Sequence, residues 1–127
     1  MTPRMEFDWN QGALAEGLRL YRAGEYFRAH EEWESVWLAA GEPEKRFLQG
    51  LIQVTAAFHH WQRQNPRGTS LLLEAALLRI ESYPESFGGL SVVALCGGIR
   101  ASLNALETGE EPACVPIEPR RQDAPAV

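Results

Sequence analysis

The chain has no surplus of positive charge: 12 Lys and Arg stand against 17 Asp and Glu, for a net charge of -5. A nucleic acid is bound largely by neutralising its phosphates, so this balance argues against DNA or RNA as a partner. No segment approaches the roughly 18 consecutive apolar residues that span a bilayer, and no apolar run follows a basic start in Met1 to Phe7. These absences predict a cytoplasmic protein with no membrane partner. Cysteine is scarce as well. Cys96 and Cys114 have neither CxxC spacing nor a nearby histidine, so they encode no zinc site or redox motif, and two reduced thiols are expected.

What is present is one domain's worth of core. The chain has 127 residues, 45% of them hydrophobic and 23% charged. A chain of this size buries roughly 68% of the surface its unfolded form exposes, enough to hold together without a disulfide or structural metal. Apolar residues recur at intervals of three and four rather than two, which predicts an all-α fold.

Punctuation by Gly and Pro divides the pattern into about five helices. They are expected near Trp9 to Ala23, Glu25 to Ala39, Glu44 to Gln64, Gly68 to Tyr83 and Leu90 to Glu107, with Gly24 as a stop, Pro43 in a first turn and Pro84 as a terminator. Gly97 and Gly98 fall inside the fifth helix. Each costs about 1 kcal/mol against alanine, so the pair predicts close packing there. A single helical-bundle domain over 1–107 is therefore expected. The stretch 108–127, with four prolines, reads as an irregular tail: Cys114, Val115 and Ile117 anchor its first half, and its last six or so residues are partly disordered.

Leu14, Leu18, Tyr21, Gly24, Tyr26 and Ala29 look like part of a tetratricopeptide repeat, but no second copy follows 34 residues later, so a single helical hairpin remains. On the second helix, Tyr26, His30, Trp33 and Trp37 form an inward stripe with Glu34 at its border, while Glu31 and Glu32 point outward. A His and a Glu at i and i+4 make half of an HExxH-type metal site, and the second histidine is missing. On the third helix Arg46, Gln49, Gln53 and His60 form a polar stripe beside an apolar arc that includes His59. Facing the second helix, this stripe would complete a buried polar cluster of His30, Glu34, Arg46, Gln49, Gln53 and His60; facing outward, it is a solvated surface. Equally, His30 and Glu34 can be a core hydrogen-bond pair, His59 a packed histidine, and Trp33, Trp37 and Trp61 core or interface aromatics.

Gly24, Tyr26, Phe27, Ala29-His30-Glu31, Trp33-Glu34 and Trp37, followed by Arg46-Phe47-Leu48-Gln49-Gly50-Leu51-Ile52-Gln53, His60, Arg63, Asn65 and Gly68, are recognisable together. Through the signatures AHExWE and FLQGLIQ the chain resembles the bacterial and archaeal domain of unknown function family 309, over roughly residues 10–106. The resemblance implies a small all-α fold, no established activity, and characteristic polar positions at His30, Glu31, Glu34, Arg46, Gln49, Gln53 and His60. Two departures stand out. Arg28 replaces a more usual acidic residue, and Gln64 replaces a usual glycine in the turn before Asn65.

The functional expectation is a non-catalytic helical binding or interaction module. A homodimer is expected through the broadly apolar fourth helix, where Leu71, Leu72, Leu73, Ala75, Ala76, Leu77, Leu78 and Ile80 exceed what one core contact needs. One alternative is a metal-assisted hydrolase using zinc or manganese on His30 and Glu34, with Glu31 or His60 as a further donor and Arg46, Gln49 and Gln53 handling substrate. Another is a binder of a small organic anion through Arg46, His30 and the glutamines.

Overall fold

The computed structural model describes residues 5–120. Over these residues the chain forms α1 (Gly12–Arg22), α2 (Tyr26–Ala39), α3 (Glu44–Gln62), α4 (Pro66–Ile80), a two-residue pair of strands, β1 (Ser86–Phe87) and β2 (Leu90–Ser91), and α5 (Val92–Glu107). Each helix packs chiefly on its neighbour in sequence, α1 on α2 through to α4 on α5. The all-α class is as expected. The antiparallel hairpin, pairing Ser86 with Ser91 and Phe87 with Leu90, is an addition to it.

Local chemistry sets the helix ends. The Gly24 N–H donates to Tyr21 O and the Glu25 N–H to Leu20 O, and Gly24 has φ +78°. This is a Schellman stop, in which a left-handed residue lets two otherwise orphaned carbonyls accept bonds. The same pair of bonds closes α5 at Gly109 and closes α3 at Gln64, whose φ is +60°. At the start of α4, Asn65 accepts from the Gly68 N–H at 3.0 Å, and Pro66 occupies the first helical position. The helix therefore begins two residues before the expected Gly68, because the break and the cap are the same residues. α1 begins at Gly12 rather than Trp9, since the Asp8 carboxylate turns the chain by accepting from the Asn10 N–H and the Gln11 side chain.

The α1–α2 hairpin closes on one indole. Trp33 is fully buried, and its Nε1 donates to Leu14 O at 3.0 Å. It reaches that carbonyl across Gly17, where an added Cβ would sit 2.2 Å from Nε1. The hairpin fold thus depends on Gly17 for close approach, with Gly24 serving the turn.

Residues 112–117 are integral to the packing, and Val115 and Ile117 are buried as anchors. Tyr21 Oη donates to Val115 O at 2.6 Å, and Ser102 Oγ to Ala113 O at 2.6 Å, so the segment straps α5 to α1. Cys114 is exposed rather than an apolar anchor, and its sulfur accepts from Tyr26 Oη at 3.2 Å. Burial pushes both tyrosine phenols up, which keeps them protonated and able to donate. The close packing expected at Gly98 comes from this strap: a Cβ there would lie 3.1 Å from Val115 Cγ1. Gly97 faces open space instead. The last six residues of the tail lie outside the described residues.

Candidate functional site

α2 and α3 are joined by a four-residue connection, and the pairs at their two ends fix them as antiparallel. Lys45 Nζ lies 4.4 Å over the Trp37 ring at one end, while Phe27 and His59 ring centroids are 5.4 Å apart at the other. Ala29 and Trp33 anchor α2 in the core. The residues flanking them, Tyr26, His30 and Trp37, are only half-buried and line the seam with α3.

At the Phe27 end the seam opens into a groove of about 190 Å³ lined by Phe27, His30, Ala56, His59 and His60. The Phe27 ring stacks on His30 with centroids 6.2 Å apart and lies 54% exposed. His60 Nδ1 is 3.0 Å from Asn65 Nδ2. Because Asn65 Oδ1 already accepts from Gly68, its amide nitrogen is the donor here, so His60 keeps its proton on Nε2. Burial, followed by the charges of Arg63, His60 and His30, holds the His59 imidazole below the usual histidine range. Small Ala56 leaves the room between these rings.

His30 Nε2 stands 3.5 Å from Glu34 Oε2, an ion pair when the imidazole is protonated, but long for a hydrogen bond. Its other nitrogen, Nδ1, is buried and has no hydrogen-bond partner among the described residues. Trp37 Nε1 and Gln53 Oε1 are in the same condition. His30 and Trp37 lie on α2 along its seam with α3, whereas Gln53 lies on α3 three residues after Gly50, which packs against Ile80 of α4. A buried polar atom left unpaired costs roughly 1–3 kcal/mol, so the two atoms on α2 leave unmet hydrogen-bonding capacity along that seam.

The seven polar residues singled out from the sequence divide between seam and surface. His30 and His60 line the groove, Gln49 and Gln53 are half-buried on α3, and Glu34 stands at the rim. Glu31 is exposed, as its outward position predicted. Arg46 is exposed in the first turn of α3, where its backbone N–H donates to Glu42 Oε1 at 2.9 Å. The six-residue buried cluster therefore does not assemble as a unit, because Arg46 points outward from a first turn that buries Glu44 and Phe47 instead. His59 lies beside Phe27 in the groove instead of within the apolar arc. Phe27 and His59 stand outside the inward stripe, yet Phe27 precedes His30 by three residues, the spacing that sets two side chains together on a helix.

Among the described residues, no group of three or more His, Cys, Asp or Glu side chains is placed to hold a metal ion. His30 and Glu34 offer two donors. No described helix is long and apolar enough to cross a membrane.

Two comparisons bear on the chain. The family model described as "Domain of unknown function (DUF309)" matches residues 14–72, a span that takes in α1 from Leu14 onward, α2, α3 and the first half of α4. A protein of Aquifex aeolicus (strain VF5), titled "Uncharacterized protein", is 30% identical over 100 residues. The match takes in 78% of this chain and 30% of that protein, so the chain spans less than a third of the relative's length.

Proposed function

The chain belongs to the DUF309 family through residues 14–72, and from that premise we propose that it is a non-catalytic binding module receiving a partner protein's side chain in the α2–α3 groove. The supporting observation is the pair of buried, unpaired atoms on α2, His30 Nδ1 in the groove lining and Trp37 Nε1 further along the same seam. Selection for packing alone would replace such groups with apolar ones, whereas a binding function retains them.

Size favours a side chain over a substrate. The groove is about 190 Å³, below the roughly 300 Å³ at which small-molecule pockets begin. A catalytic zinc site uses three protein ligands, against the two that His30 and Glu34 supply. An anion site built on Arg46 is disfavoured because Arg46 is exposed and is not part of the groove lining. In the Aquifex protein the matching segment sits within a much longer chain, an arrangement suited to a module that acts beside other polypeptide.

The test pairs stability with contact. His30→Leu removes the unpaired Nδ1 at similar volume, so urea denaturation should show stability unchanged or raised by about 1 kcal/mol. A photo-crosslinking residue at position 27, used in the host cell, should give one defined protein adduct that His30→Leu abolishes. A loss of stability above about 1 kcal/mol in His30→Leu would make that nitrogen structural and end the reading. So would the absence of any adduct.

A further inference from the structure

α4 meets the core through Thr69, Leu73, Ala76 and Ile80, and its opposite side is apolar too. Leu71 is 56% and Leu78 67% exposed, with half-buried Ala75 between them. At 100° per residue these three fall within about 50° of the direction opposite the buried stripe. Among the described residues, the two leucines on this line stay exposed. We propose that this face binds a second copy of the chain, α4 against α4 and antiparallel, about a two-fold axis beside Glu74 and Ala75.

Both halves of such an interface are present on one helix. A two-fold interface requires a patch complementary to itself, so that residue i meets j and j meets i. Leu71 and Leu78 lie two turns apart, roughly 10 Å, and equally far from the axis. Antiparallel pairing therefore sets Leu71 of each copy against Leu78 of the other. Charge selects the same direction. Exposed Arg67 lies one turn before Leu71, and exposed Glu81 follows Leu78 by three residues. Antiparallel helices bring each Arg67 to the Glu81 of the other copy, while parallel ones would oppose like charges at both ends. The Glu81 carboxylate remains available, since its ion pair with Arg100 spans 3.3 Å at the surface.

The neighbouring helix extends the face. Val93 is 64% exposed, and Gly97 lies one turn further along α5. A glycine inside a helix costs about 1 kcal/mol relative to alanine. Within the chain nothing requires Gly97, because a Cβ there would meet no atom within 4 Å. It leaves room for a second chain to come close to α5. This inference is independent of the groove, which lies on α2 and α3.

Sedimentation velocity on the full chain over a range reaching high micromolar concentration reads the outcome. Wild type should pass from monomer to dimer. Leu71→Lys with Leu78→Lys should stay monomeric throughout, with helical circular dichroism unchanged and, at dilutions where wild type is also monomeric, the same thermal midpoint, because neither leucine is in the core. Arg67→Glu should weaken association by roughly tenfold or more, and adding Glu81→Arg should restore it. With Cys114→Ser as background, Ala75→Cys should give a disulfide-linked dimer on mild oxidation. A wild type that remains monomeric overturns the inference, as does a dimer untouched by the two lysines or strengthened by Arg67→Glu alone.

Discussion

Gln64→Gly should stabilise the protein, although it deletes a side chain and adds no contact. Three helices end in the same pair of backbone bonds, α1 at Gly24, α5 at Gly109 and α3 at Gln64. Only Gln64 carries a Cβ in the left-handed region, at φ +60°. For an L-residue this conformation costs about 1–2 kcal/mol, through the approach of Cβ to the following carbonyl. Glycine removes that strain but gives the unfolded chain more freedom, at a cost of about 0.5–1 kcal/mol. The net gain is about 0.5–1 kcal/mol, and the exposed Gln64 side chain surrenders little packing to offset it. For a chain of this length that is roughly 2–4 °C in thermal midpoint. Urea denaturation and calorimetry would measure it, with Gln64→Ala as the control that keeps the Cβ and should leave stability near wild type. Asparagine should fall between the two. If glycine proves no more stable than alanine, the turn is not strained and the argument from φ fails.

Gly17→Ala should destabilise by about 1–3 kcal/mol in urea denaturation, because the new methyl would stand 2.2 Å from the Trp33 indole and displace its bond to Leu14 O. Tyr21→Phe leaves the buried Val115 carbonyl unpaired, which should cost about 1–3 kcal/mol and speed proteolytic cleavage within 112–117. Stability should also fall as pH drops below the ordinary histidine value of 6.5, since His59 is held below it in the folded chain. The unfolded chain then takes up the proton first, and the loss continues until the folded imidazole titrates too. His59→Gln should flatten that slope between neutral and mildly acid pH, and histidine NMR titration should place His59 below 6.5; a His59 midpoint at or above 6.5 would contradict it.

The helices were legible because their signals are local. Gly24, Asn65-Pro66 and Gly109 act on the backbone within a few residues of themselves, and the three-and-four spacing of Leu14, Leu18 and Tyr21 records one buried face. The β1–β2 hairpin was missed, although Gly88-Gly89 is the residue pair that a two-residue type I′ turn, with positive φ at both positions, favours. Its strands are too short to show an alternating pattern. The groove was harder to read. His30 and His60 could be named from helix faces, but bringing Phe27, Ala56 and His59 beside them depends on how α3 returns across α2. Arg46 shows the converse, a residue on the same stripe as Gln49 and Gln53 that is exposed where no neighbouring element covers it. Helical phase gives direction around an axis, whereas depth is set by the neighbouring element.

The strap over residues 112–117 gives the fold a direction in time. The helices form contacts with the next helix in sequence, the kind of short-range pairing that assembles quickly. Tyr21 to Val115 and Arg22 to Ile117 join positions 94 and 95 residues apart. During synthesis, α1 and α2 can therefore pair while the remaining helices are still being made, but the cleft beside Tyr21 stays uncovered until every helix has been translated. A ribosome-stalled chain ending at α5 would display the α1–α2 hairpin with Tyr21 and Tyr26 accessible. Arrival of the strap converts that open row of helices into a closed one.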